Sequence, residues 1–187
     1  MRTLFPLLTL AALIALAPCA GAQDAGAVRD GQHDFDWEIG TWQTRLSRLQ
    51  GPLTGSTTWV EYEGTSVISE VAGGSANLVE LDVEGPAGRL EVISLRLYDP
   101  SSGQWSLHAA SPRSGTLFPP VIGGFTGGRG EFYGQEIMNG RPIYVRFVIT
   151  NVDPRTWRFE QAFSADGGRT WEANWIAVDT RVTGTDG

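Results

Sequence analysis

The chain has 187 residues, 14 basic and 21 acidic side chains, a formal net charge of −7, and 24 glycines with 10 prolines. Every basic residue is arginine, so Schiff-base lysines and Walker-type phosphate loops are excluded, and without a basic run a nucleic-acid surface is not expected. Two histidines and one cysteine can build neither a structural zinc site nor a three-histidine catalytic one, so no metal and no cofactor is expected.

Residues 1–22 read as a secretory signal: Arg2, an apolar run over 4–18, and the small residues Ala20-Gly21-Ala22 before a cleavage point. The run is short for a membrane span, so none is expected. A periplasmic or extracellular destination follows. Leu16-Ala17-Pro18-Cys19 faintly matches a lipoprotein box, but proline directly before Cys19 fits it poorly. Cleavage leaves about 165 residues, the size of one domain, with no thiol nucleophile and no disulfide.

A polar leader (23–32) precedes His33-Asp34-Phe35-Asp36-Trp37-Glu38, read as one helical turn across the end of a barrel. The domain proper runs 33–182, with a tail at 183–187. Gly40-Thr41-Trp42 opens a strand to about 49. Further strands are expected near 56–63, 65–71, 77–84, 89–98, 104–110, 131–137, 142–150, 156–164 and 170–181. Gly- and Pro-rich turns separate them, including 84–88, 99–103, Asn139-Gly140 and Asp153-Pro154. This pattern predicts an all-β fold: a single antiparallel up-and-down β-barrel of about ten strands, with a sandwich as the alternative. Segment 111–128 breaks the rhythm. It carries Leu117, Phe118, Val121, Ile122 and Phe125 among prolines and glycines, so it is expected either to plug a barrel end or to cover a pocket.

The clearest local pattern is the hairpin over 157–181. Placing the turn at 166–169 sets Phe163 opposite Trp171, Phe159 opposite Trp175 and Trp157 opposite Ala177, one apolar face. On this reading Phe147, Phe159 and Trp175 point inward, while Arg146, Glu160 and Asn174 point out or line a wet margin. Ser164 to Trp171 matches the Asp-box S-x-D-x-G-x-T-W, in which Asp166 accepts backbone N–H bonds and Trp171 packs under the loop; in a single copy it is structural.

Gly40-Thr41-Trp42 resembles the G-x-W that opens the first lipocalin strand, and Arg181 stands where that family's last-strand arginine covers the tryptophan. With His33-Asp34-Phe35-Asp36, Leu95 to Pro100, Phe163 and Trp175, the chain resembles the lipocalin-like (calycin) barrels, and more closely the DUF1579-type group of uncharacterised bacterial proteins. The resemblance implies a barrel with an internal cavity and carries no catalytic residues. A small apolar molecule is the expected partner.

Candidate acid–base groups are few. A four-residue turn at 100–103 with Leu97 against Trp105 puts His108 on one face with Arg96 and Ser106, outward or as a general base. Trp59 and Glu61 share a face, and an inward Trp59 would bring Glu61 to the cavity or its rim. Trp59, Glu61, Arg113, Phe118 and Ile122 are the expected ligand-binding set, with Trp42, Arg181, Asp166 and Trp171 structural. Three functional classes stand: a binding barrel for an apolar ligand, an enzyme doing acid–base chemistry (isomerase, cyclase or hydrolase type) in the same cavity, or a filled barrel acting in protein interaction.

Overall fold

Strand alternation closes here into a barrel. The computed structural model describes residues 30–182; the expected signal segment with Cys19, most of the leader and the 183–187 tail lie outside the described residues. A 3₁₀ turn (Asp36–Glu38) precedes β1 (Gly40–Leu49), β2 (Trp59–Val71), β3 (Ala76–Gly85), β4 (Gly88–Asp99) and β5 (Gln104–Ser111). Then come β6 (Thr116–Leu117), β7 (Val121–Thr126), β8 (Arg129–Met138), β9 (Arg141–Asp153), β10 (Thr156–Ser164) and β11 (Glu172–Arg181). Neighbours in sequence pair antiparallel all the way round, β11 returns to β1, and β4–β5 completes the circle. β6 and β7 both pair with the same edge of β5, so they are one interrupted strand and the barrel has ten staves. Among the described residues no barrel edge is left unpaired.

Two strand assignments change. The expected strands 56–63 and 65–71 are one continuous strand, β2. Gly64 is no turn; a Cβ there would sit 2.1 Å from the Asp82 carbonyl oxygen and 2.7 Å from the Val83 Cα, so glycine permits the close approach of β3. Conversely, much of the irregular 111–128 segment is stave: Val121 and Phe132 are core residues and Gly123 pairs with Phe132. The two errors cancel in the strand count.

Two registers also differ from expectation. In the β10–β11 hairpin the connecting loop is longer, and Phe163 stands opposite Glu172. Past a bulge that leaves Asn174 unpaired, Gln161 meets Trp175, Phe159 meets Ala177 and Trp157 meets Asp179. Phe147, Phe159 and Trp175 face inward, and Arg146 and Glu160 form a half-buried ion pair at 3.5 Å outside. Asn174 does not join them; the bulge turns it into the interior, where it is 2% exposed. In the β4–β5 hairpin Asp99 pairs with Gln104, which sets Leu97 against Ser106 and Arg96 against Leu107. That is a slip of one residue from the expected pairing, and it turns every β4 side chain to the opposite face relative to β5. Arg96 therefore faces inward, away from His108.

Residues 31–39 fold across one end. Phe35 meets Trp105 and Phe125 edge-on, each at 4.9 Å, and stacks near Phe132. Barrel side chains hold this plug by its backbone: Trp42 Nε1 donates to the Glu38 carbonyl, and Trp105 Nε1 to that of Gly31. Arg181 donates to the carbonyls of Ile39 and Trp37 and lies 4.1 Å above the Trp42 ring. Trp42 and Arg181 are direct cross-strand partners. Gly40, at φ +133°, leaves room for the guanidinium: a Cβ would stand 2.8 Å from Arg181 Nη1. The aromatic mass of the core is thus gathered at this closed end.

Candidate functional site

Away from the plug the barrel is hollow. A cavity of about 500 Å³ opens at the other end, lined by residues from nearly every stave. That volume falls in the range of small-molecule sites. Its walls are apolar: Leu81, Leu90, Val92 and Leu107 on one side, Phe147, Phe159 and Trp175 on the other. Phe118 and Pro119, in the break between β6 and β7, stand at the mouth with Arg48, Glu91, Glu136 and Met138.

The floor is polar and lies against the plug. Alternation brings it together: Thr44 is two residues beyond Trp42 on β1, and Asp179 is two beyond Ala177 on β11, its direct partner across the ladder. Ser66 joins from β2. The Thr44 Oγ1 hydroxyl donates to Asp179 Oδ1 and is 2.7 Å from Ser66 Oγ. All three are buried, Asp179 to 1% exposure. Arg96 enters from β4, its Nη1 donating to Glu38 Oε2 at 2.5 Å in an ion pair sealed from water. Its guanidinium carbon lies 4.2 Å over the Phe35 ring.

Burial disfavours the charged form of a carboxyl group. It pushes Asp179 up to about 7; hydrogen bonds from Thr44 and Ser66 pull it down, the Glu38 charge raises it further and Arg96 lowers it. Burial also pushes Glu38 up, with the Arg96 guanidinium pulling it back. At the mouth, burial alone raises Glu136. The floor thus holds a cation cancelled by its own partner beside an acid poised between its two forms near neutrality.

Of the ligand set expected from sequence, Phe118 lines the cavity. Trp59 and Glu61 do not: Tyr62, Ser66 and Ile68 fix the inward row of β2, which turns Trp59 and Glu61 outside, where Glu61 accepts a bond from Ser47 Oγ at 2.7 Å. Arg113 is exposed in the β5–β6 turn. Ile122 alternates with the buried Val121 and Gly123, so it faces outward and is 48% exposed. His108 lies on the outer face with its Nε2 at 3.1 Å from Ser106 Oγ. Neither candidate acid–base residue, Glu61 or His108, reaches the cavity. Asp166 accepts from the Arg169 and Thr170 N–H groups and from the Thr170 hydroxyl, bonds that hold its carboxyl well below the usual range. Trp171 packs outside the barrel, edge-on to Tyr133 and beneath the Arg146 guanidinium.

Asp179, Thr44, Ser66, Arg96 and Glu38 are the residues that sequence reasoning missed. For Asp179 and Thr44 the signal was present: the inward rows Trp175–Ala177 and Trp42 extend to them by period two. No group of three or more metal-ligating side chains occurs among the described residues, and no helix there is long and apolar enough to cross a membrane.

No family model matches the chain, and no curated protein matches it. Among solved structures it is similar to the S-type phycobiliprotein lyase CPES from Guillardia theta, at 9% identity over 83% of this chain and 94% of that one, with a TM-score of 0.56. A redesigned β-barrel, mFAP1, solved bound to DFHBI, matches at 10% identity over 82% of this chain and 100% of that one, with a TM-score of 0.44. The likeness to the lyase is one of fold.

Proposed function

We propose that this protein is an exported barrel that binds a small, mostly apolar molecule in its central cavity. The observation that carries the reading is the hollow itself: about 500 Å³ walled by aliphatic and aromatic side chains and reached from one end. A barrel evolved only as a scaffold for protein contact gains nothing from such a void, because unfilled core volume costs stability. The few polar groups set deep inside are what a site uses to orient a ligand. Export rests on the N-terminal charge, apolar run and small-residue cleavage pattern, and kinship with the DUF1579-type barrels on the G-x-W, the arginine over it and the His-Asp-Phe-Asp stretch.

The test is a fluorescence titration. Trp157 and Trp175 line the cavity, so apolar ligands from a chemically broad panel should change tryptophan emission saturably and at one site per chain. An absence of saturable binding throughout the panel would refute the reading. Asp179 favours a second reading, acid–base catalysis on the bound molecule, because a buried carboxyl titrating near neutrality suits proton transfer. Catalysis would appear as deuterium exchange at an activated C–H of a bound ligand, lost in Asp179→Asn.

A further inference from the structure

Resting on the binding reading, we propose that the ligand carries an uncharged carbonyl-type oxygen at its inner end, and that this oxygen accepts a hydrogen bond from the protonated carboxyl of Asp179. The orientation follows from where polarity lies. The walls of the cavity's middle are apolar, and its two amides are engaged, Gln161 Nε2 donating to Asn174 Oδ1 at 2.7 Å and Asn174 Nδ2 to the Glu172 carbonyl. Beneath them Asp179, with Thr44 and Ser66, is the deepest polar group not already committed to an ion pair. A ligand's apolar body fills the walls, and its polar end reaches the floor.

The charge balance selects the head group. An anionic head would need a free cation. At this inner end Arg96 is cancelled by Glu38, and Arg48, the other arginine of the lining, stands at the mouth. An ammonium head would need Asp179 ionised in a site whose burial favours the neutral acid, and would desolvate two charges to gain one contact. A carbonyl asks for a donor and brings no charge, and a protonated carboxyl is a donor. Burial supplies that form up to about pH 7. Beside Asp179, its cross-strand partner Trp157 is buried with its indole N–H unpartnered, a second donor that an oxygen seated on the floor can meet.

Binding should then weaken as Asp179 loses its proton. The groups facing Asp179 are few. β1 offers Thr44, β2 Ser66 and β10 Trp157, none of which titrates in this range. The 3₁₀ turn brings Glu38 and β4 brings Arg96, locked to each other. Glu91, Glu136 and Arg48 line the mouth. His33 and His108 are outside the cavity.

The experiment compares three compounds of equal chain length, 2-undecanone, undecanoate and undecylamine, by tryptophan fluorescence at pH 5.5 and 8.5. With only the protonated form competent and a midpoint about 7, ketone binding should be about thirtyfold weaker at pH 8.5 than at pH 5.5. The ketone should be the tightest of the three at pH 5.5. Asp179→Asn keeps a donor that cannot ionise, so its ketone affinity should be equal at the two pH values. Ketone binding independent of pH in the wild-type protein would overturn the inference while leaving the binding barrel standing, and needs no variant. So would tighter binding of the acid or the amine at both pH values, or a pH dependence that survives Asp179→Asn and so belongs to Glu38 or Glu136. Binding by none of the three at either pH would overturn the inference, and failure of the broad panel as well would remove the binding barrel.

Discussion

Replacing Asp179 by asparagine should change the sign of its effect on stability across the pH scale. In the folded protein the carboxyl keeps its proton up to about pH 7, whereas its ordinary value is 3.8. Between those two values the folded state binds more protons than the unfolded state, so stability falls as pH rises through that window. Below the window the contribution of the protonated acid is fully present; above it, that contribution is gone. Across the whole window the loss amounts to about 4 kcal/mol, at about 1.36 kcal/mol for each pH step, and this is an upper bound because the buried site can relax. Asparagine has the same shape and no proton to lose. At pH 4 its Oδ1 still accepts from Thr44, but its amide nitrogen cannot accept from Ser66, and the loss of that buried bond costs about 1 kcal/mol. At pH 8 it removes a strained buried charge and should be more stable than the wild-type protein by about 1–3 kcal/mol. Urea denaturation of both proteins at unit steps from pH 4 to 8 reads this as a crossing of two curves. Taking the difference between them cancels the other carboxylates, including Asp82, Asp99 and Glu131, which sit low. Glu38, pushed up by burial in the same direction, cancels except for its charge coupling to Asp179, which the asparagine removes. A difference that stays flat from pH 4 to 8 would refute the buried, neutral Asp179.

Arg96→Leu strands the Glu38 carboxylate in the sealed plug and should cost about 3–5 kcal/mol in thermal or urea unfolding, far more than replacing an exposed arginine such as Arg45. Arg181→Ala removes the contact over Trp42 and two bonds to plug carbonyls; a loss of about 1–3 kcal/mol is expected, with increased amide exchange at residues 36–39. Gly64→Ala places a methyl group against the β3 backbone at 2.1 Å and should prevent folding to the native near-ultraviolet circular dichroism spectrum. Phe118→Asp should weaken ligand binding at the mouth at least severalfold, whereas Ile122→Asp, on the outer face, should leave the affinity unchanged.

How much of this molecule could be read from its sequence depends on which interactions set each feature. Period-two alternation made the barrel, the inward row of Phe147, Phe159 and Trp175 and the plugging turn legible, because each rests on short-range pattern. What failed was phase. At the β4–β5 hairpin the turn lies at 100–103 as expected, held by side-chain bonds from Ser101 and Ser102 to the Asp99 carboxylate, but it pairs Asp99 with Gln104 and so Leu97 with Ser106, not with Trp105. One residue of slip hid Arg96 and, with it, the partner of Glu38. At Gly64 a residue type that breaks strands elsewhere instead admitted the neighbouring backbone. The bulge at Asn174 left no mark in composition.

The same physics explains why the site sits where it does. A ten-stave barrel is wider than the side chains of its own wall can fill, so its interior must be stopped by something else. The chain brings Phe35 and Trp37 on the plug against Trp42, Trp105, Phe125, Phe132 and Trp157 at one end, and places its largest side chains there. Tying that plug down requires donors for its carbonyls, supplied by Trp42, Trp105 and Arg181, and it carries Glu38 into the core, which in turn demands Arg96. Arg96 and Glu38 then place charge under the remaining hollow, and that charge, with the burial of Asp179, keeps the floor acid near its midpoint at neutral pH. The plug is therefore not separate from the site. It sets the cavity's depth and the polarity of its floor, and substitutions at Glu38 should alter ligand binding through Asp179 even though Glu38 is not among the residues lining the cavity.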